Sequence, residues 1–174
     1  MRKKLILPLL AILLLTPWPV AYAYDVSDGK VGHETVMVQA AEPSAAPSWN
    51  AFGGAIGGVT TPGDLFYIDA TNSPADIVVT LYLTNTQELA RCYRYLILKV
   101  GIYVQSGEGQ WEKALGDRGP IGPEIYITLL NGQVNCTLPG CAKYKVTIDN
   151  GCFYCLGTSA DGGSISPQFY LTAT

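Results

Sequence analysis

Residues 77–84 read Ile-Val-Val-Thr-Leu-Tyr-Leu-Thr, and residues 93–104 read Tyr-Arg-Tyr-Leu-Ile-Leu-Lys-Val-Gly-Ile-Tyr-Val. In the first stretch Ile77, Val79, Leu81 and Leu83 fall on one side of an extended chain, with Val78, Thr80, Tyr82 and Thr84 on the other. In the second, Leu96, Leu98, Val100 and Ile102 oppose Tyr95, Ile97, Lys99 and Tyr103. A period of two sends alternate side chains to opposite faces of a pleated strand, so both stretches read as β-strands. Working outward, residues 65–69, 125–130, 143–148 and 169–173 carry shorter runs of the same kind. Thr71-Asn72-Ser73-Pro74 and the Gly/Pro-rich residues 116–123 supply turn chemistry, and Asp149-Asn150-Gly151 is a hairpin signal. Residues 86–91 suffice for one helical turn. At least six strands without a sustained helical period imply an all-β chain built as a β-sandwich.

The N-terminus is of another kind. Arg2, Lys3 and Lys4 precede the apolar residues 5–15, Pro17 and Pro19 end any helix, and Ala21-Tyr22-Ala23 offers small residues for cleavage before Tyr24. Residues 1–23 therefore read as a secretory signal peptide. Eleven apolar residues are too few for the roughly 20 that span a bilayer. The expectation is a chain that is secreted, extracellular or at the cell surface, with no membrane span. Taking 23 residues from 174 leaves 151, a length that suits one domain. Of eleven Lys and Arg, the three at the start leave with the leader, so eight face fourteen acids, a balance of −6. Nucleic acid is excluded as a partner on that balance, since phosphate binding needs a basic face.

Residues 24–58 form an extended segment and linker ahead of a sandwich over residues 59–174. Thr35, Val36, Met37, Val38 and Gln39 make a short β-prone run, followed by Glu42-Pro43-Ser44-Ala45-Ala46-Pro47-Ser48 and the joint Gly53-Gly54-Ala55-Ile56-Gly57-Gly58. A Pro/Ala/Ser linker tends to be extended. An isolated apolar strand beyond it cannot offset its own ordering entropy, so it must dock on its own domain or on another.

For catalysis the inventory is poor. The single histidine, His33, lies in the N-terminal segment, so no nucleophile has a base held in a framework. The expectation is that the chain is not an enzyme. Five cysteines, Cys92, Cys136, Cys141, Cys152 and Cys155, accompany the leader. Export favours disulfides over zinc or redox chemistry, with Cys136, Cys141, Cys152 and Cys155 stapling a local hairpin and Cys92 odd or intermolecular; the spacing does not choose the pairing. Asp64, Asp69 and Asp76, with Asn72 between, are candidate calcium ligands, because Ca²⁺ takes several hard oxygens from loops. The plainer reading is that Asp favours turns. Asn135-Cys136-Thr137 fits a glycosylation acceptor.

Residues 64–104, above all residues 77–85 running into NTQELARCYRYLILKV at residues 85–100, resemble the subunits of archaeal cannulae, extracellular tubules of hyperthermophiles. The shared features are a strand ending in Asn, a short acidic/Gln-Leu segment and an aromatic-rich strand. Gln87 and Glu88 stand where the family has its Glu-Gln pair, in swapped order, and Asp69 and Asp76 fall near its acids. The resemblance implies a jelly-roll-like sandwich that donates its N-terminal strand to a neighbour, with calcium at subunit contacts. The five cysteines and residues 131–161 have no counterpart in that pattern.

Two readings follow. In one, the chain is a homopolymer subunit of a tubule or filament, with Thr35 to Gln39 as donor strand. In the other it is a monomeric adhesin-like module whose loops 107–123 and 135–141 contact carbohydrate or protein.

Overall fold

The computed structural model describes residues 36–47, 49–51, 57–115, 122–156 and 165–174. The leader, His33 and Thr35 lie outside the described residues. The elements are β1 (Met37–Ala40), a 3-10 turn (Pro43–Ala45), β2 (Trp49–Ala51), β3 (Gly57–Thr60), β4 (Gly63–Asp69), β5 (Ile77–Leu83), helix α1 (Thr86–Cys92), β6 (Tyr93–Gly107), β7 (Gln110–Lys113), β8 (Ile125–Thr128), β9 (Gln133–Leu138), β10 (Lys143–Cys155) and β11 (Phe169–Ala173).

These strands form two antiparallel sheets. The larger is organised around β10, which pairs with β6 from Tyr144 to Cys155 along one edge. Its other edge is shared by β4, from Lys143 to Ile148, and β3, from Cys152 to Tyr154. Outside these, β1 pairs with β4 and β2 with β3, while β7 and β8 share the far edge of β6. The smaller sheet has the order β11-β5-β9. The result is an all-β sandwich.

The alternation read in the sequence sets which faces meet. Ile77, Val79, Leu81 and Leu83 on β5 are buried, as are Leu96, Leu98, Val100 and Ile102 on β6. They are joined by Phe66 and Ile68 of β4, Tyr144, Val146 and Ile148 of β10, and Phe169 and Leu171 of β11. Each large apolar side chain taken fully from water contributes about 1.5–3 kcal/mol, so this double layer dominates the stability. The Tyr144 hydroxyl, at the bottom of the core, is satisfied by donating to the Pro139 carbonyl at 2.6 Å.

Three expectations are corrected. Asp149-Asn150-Gly151 is not a hairpin turn. It lies in mid-strand, where Ile148 pairs with Val100 and Asn150 with Lys99, leaving Asp149 as the extra residue of a β-bulge. The bulge is possible because Gly101 sits beneath it: a Cβ there would run into the Asp149 carboxylate and the Thr147 hydroxyl. Residues 42–47 are not an extended spacer. Their 3-10 turn, closed by Ala45 N–H to the Glu42 carbonyl at 2.8 Å, steps the outer strand around Pro47, whose backbone presses on Gly63. Nor do the described residues of the N-terminal segment stand apart from the domain. Met37 to Ala40 pair with Asp69 to Phe66 of the chain's own β4, and β3 begins at Gly57.

Between the sheets, helix α1 carries the chain from β5 to β6. Asn85 opens it without capping it, because both ends of its amide are engaged elsewhere. The amide donates to the Ser166 carbonyl at 2.9 Å and accepts from the Gln168 N–H at 3.0 Å, as a strand neighbour would. Together with Tyr93 donating to the Ile165 carbonyl at 3.0 Å, this fixes the run into β11. Replacing Asn85 with Ala strands a half-buried donor and acceptor, so thermal unfolding should show a loss of about 1–3 kcal/mol. Gly101→Val should destabilise by at least about 2 kcal/mol through overpacking, where an equally buried glycine facing open space would not.

Candidate interaction surface

The core-facing sides of both sheets are filled, so the chemistry lies on the outward face of the large sheet. There one ladder crosses five strand positions: Gln39 opposite Tyr67, Tyr67 opposite Lys145, Lys145 opposite Tyr103, and Tyr103 opposite Lys113. The Lys145 ammonium sits 5.3 Å from the Tyr103 ring centre and 5.5 Å from that of Trp111, within cation–π range. Trp111 and Tyr67 approach at 6.0 Å. Lys145 also pairs with Asp64 at 3.2 Å, and the same carboxylate accepts from the Tyr67 hydroxyl at 2.7 Å.

Asp149, pushed outward by the bulge, is the centre of this half of the face. It accepts from Lys113 at 2.8 Å, from Thr147 at 2.7 Å and from Tyr103 at 3.0 Å. Burial pushes its carboxyl up, but those three hydrogen bonds and the Lys113 charge outweigh it, and the net shift is downward. Asp69 is lowered chiefly by its bond from the Thr71 hydroxyl, with Lys143 assisting at 3.0 Å. The hydrogen bond to Asp64 and then burial raise Tyr67 to about 12. Burial, with the bond to Asp149, does the same for Tyr103, to about 12. Lys99 and Glu124 form a further ion pair on this face.

The other end of the face is different in kind. Val59, Tyr95, Ile97, Tyr126 and Tyr154 are all exposed. Tyr95 and Tyr154 are cross-strand partners stacked at 5.8 Å and 19°, and Val59 and Ile97 flank Cys152 on either side. The sheet is therefore ion-paired and aromatic at one end, open and apolar at the other.

The expected sites are dispersed by this geometry. Asp64 and Asp69 stand near opposite ends of β4, about 17 Å apart by strand rise, each on its own lysine. Asp76 lies in the exposed turn before β5. No group of three His, Cys, Asp or Glu side chains among the described residues gathers to hold a metal ion. The cysteines make no stapled hairpin, and all five are free thiols. Cys136 belongs to β9 in the small sheet, where burial pushes its thiol up to about 11. Cys141 sits in the turn before β10 and points its thiol at the Ser73 carbonyl, 3.3 Å away. Cys152 and Cys155, three apart on one strand, face opposite sides. Residues 135–138 are strand rather than loop, and residues 116–121 of the other expected loop lie outside the described residues. Of the donor residues, Met37 is 66% exposed, Val36 and Val38 pack against the core, and Gln39 joins the outward ladder.

The sequence placed Tyr103 and Lys99 opposite the apolar side of their strand, but gave no sign of Asp149 at the centre of this face. Comparison with protein-family models finds no match, and comparison with curated proteins finds none either. Neither comparison links the chain to cannula subunits. No helix among the described residues is long and apolar enough to cross a membrane.

The shifts fix a pH window. Asp149 and Asp69 are depressed in the fold, so their support is complete above the ordinary carboxylate value near 4 and is lost as pH falls through their lower folded values. Tyr67 and Tyr103 are raised above 10.0, so theirs is complete below pH 10 and disappears as pH climbs toward about 12. Asp149→Asn should reduce neutral-pH stability by about 1–3 kcal/mol and flatten the acid limb of a pH–denaturation profile. An unchanged acid limb would show that this carboxylate does not carry it.

Proposed function

We propose that this chain is an exported structural subunit that joins copies of itself into a filament or tubule by exchanging its N-terminal edge strand. One observation carries the reading: the outermost position of the large sheet is built from β1 and β2, both drawn from the N-terminal segment and followed in sequence by Gly53-Gly54-Ala55-Ile56-Gly57-Gly58. Glycine-rich sequence at that point lowers the barrier to redirecting what precedes it.

In the isolated chain this strand pairs with its own β4, so donation takes the form of a swap. The ladder from Met37–Asp69 to Ala40–Phe66 is broken within one copy and remade with identical partners in the next. Little free energy separates the two arrangements, since every bond lost is regained. Passed head to tail, the exchange does not close on itself and gives an open polymer. Without the strand, β4 presents an unpaired edge, which is itself a template for association.

A second reading has its own support. Stacked Tyr95 and Tyr154 beside Ile97 form a flat, exposed aromatic platform, of the kind that receives a sugar ring or a partner's apolar surface. Tyr95→Ala with Tyr154→Ala should abolish retention on polysaccharide if that reading holds, and leave assembly untouched if it does not.

The exchange is read by a cross-strand pair, Gln39→Cys with Tyr67→Cys, in an equimolar mixture of isotope-labelled and unlabelled protein of residues 24–174. After assembly and mild oxidation, peptides linking residues 39 and 67 should be hybrid in about half of cases, the statistical expectation for exchange in trans. Linked peptides of a single isotope only would mean that the strand stays home. Removal of residues 24–41 should leave a folded monomer that no longer polymerises.

A further inference from the structure

We propose that Cys92 and Cys155 form a latent cross-link, closed by thiol–disulfide exchange when the folded chain meets a small disulfide oxidant. The two residues meet where helix α1 hands over to β6 and where β10 ends. Tyr93 lies opposite Cys155, and the next rung is the Leu156 N–H donating to the Cys92 carbonyl at 2.9 Å. Cys92 is thus one residue diagonal to Cys155 on adjacent strands. That places their Cα atoms roughly 5–6 Å apart, inside the range a disulfide spans.

Diagonal neighbours in a regular ladder face opposite sides, and this ladder is not regular there. Cys92 still has helical backbone, and the register shifts between Tyr154 and Cys155. A helical residue entering a strand throws its side chain to the same side as its successor, as at a bulge. Both sulfurs accordingly pack against the hydrophobic core. Their proximity is also felt electrostatically: burial pushes the Cys155 thiol up, and charge on Cys92 pushes it further.

The remaining cysteines are placed where they cannot compete. Cys136 lies on the other sheet, Cys141 in a turn against Ser73, and Cys152 on the outward face between Val59 and Ile97. The pairing that results is not the local staple expected from spacing, and it makes Cys152 rather than Cys92 the odd thiol of the β6–β10 seam.

The chemistry balances with one oxidant of the glutathione-disulfide class. The thiolate of one cysteine attacks a sulfur of the oxidant and expels one small thiolate, giving a mixed disulfide. The second cysteine's thiolate attacks the protein sulfur of that bond and expels the other. Two protein thiols lose two protons and two electrons, and the oxidant becomes two small thiols. The product closes a long loop between helix α1 and the end of the central strand, a constraint that acts on the unfolded chain.

The test is to hold folded residues 24–174 with glutathione disulfide, block remaining thiols by alkylation and map peptides without reduction. The expected result is a dominant Cys92–Cys155 peptide and a melting temperature raised by roughly 5–15 °C. Reductant should reverse both. Cys92→Ser and Cys155→Ser should each lose the rise while melting, when reduced, close to the reduced parent. If a serine variant fails to fold, the corresponding alanine variant serves. Cys92 and Cys155 recovered separately alkylated or separately glutathionylated, or linked to other cysteines, would overturn the assignment.

Discussion

The rest of the sandwich depends on β10 remaining paired along both edges, interrupted on one of them only at residues 149–151. It must match β6, which is one unbroken strand, on one side, and on the other β3 and β4, which are separated by Thr61 and Pro62. Two edges with different spacings cannot be met by an uninterrupted pleat. The extra residue at Asp149 absorbs the mismatch, and two glycines make room for it. Gly101 leaves space for the displaced carboxylate, and Gly151 lets the strand settle on Leu98, where a Cβ would meet that side chain and the Ile97 carbonyl. A second irregularity, between Val146 and Thr147, lets β4 turn two successive residues, Leu65 and Phe66, into the core.

This explains why some of the chain was legible and some was not. The faces of β5 and β6 could be read directly, because alternation over seven or more residues has one physical interpretation when one side is buried. Asp149-Asn150-Gly151 misled because residues that tolerate turns also tolerate bulges, and a local signal cannot say whether the chain reverses or only steps. Only the partner strand decides, and Gly101 lies nearly fifty residues away. The Pro/Ala/Ser stretch misled in the same manner: its prolines serve a kink in an edge strand, a place where a missing donor is harmless. Cysteine spacing failed because β10 carries its thiols to different faces while β9 belongs to another sheet.

The outward face shows how a single sheet surface can be divided. At the Asp149 end Lys145, Lys113 and Lys143 each meet a carboxylate, and the Lys145 ammonium lies over the Tyr103 and Trp111 rings, so these groups satisfy one another. At the Tyr95–Tyr154 end, Val59, Tyr95, Ile97 and Tyr154 turn apolar atoms to water. Isolated exposed apolar residues are ordinary, but a contiguous group on a flat sheet marks a surface that gains by being covered. The small sheet mixes the two kinds: Asn135 and Thr137 of β9 and Thr172 of β11 turn polar groups outward beside the exposed Val78 and the Tyr82–Tyr170 pair.

The position of β10 in the chain has a kinetic corollary. Ile68 waits for Tyr144 and Leu96 for Phe153, so neither half of the large sheet can close until the ribosome has made nearly all of the polypeptide. Topologies that defer their long-range pairings nucleate slowly. A nascent chain of this kind can form its peripheral pairings early, but the two halves of its large sheet stay unjoined until β10 is made.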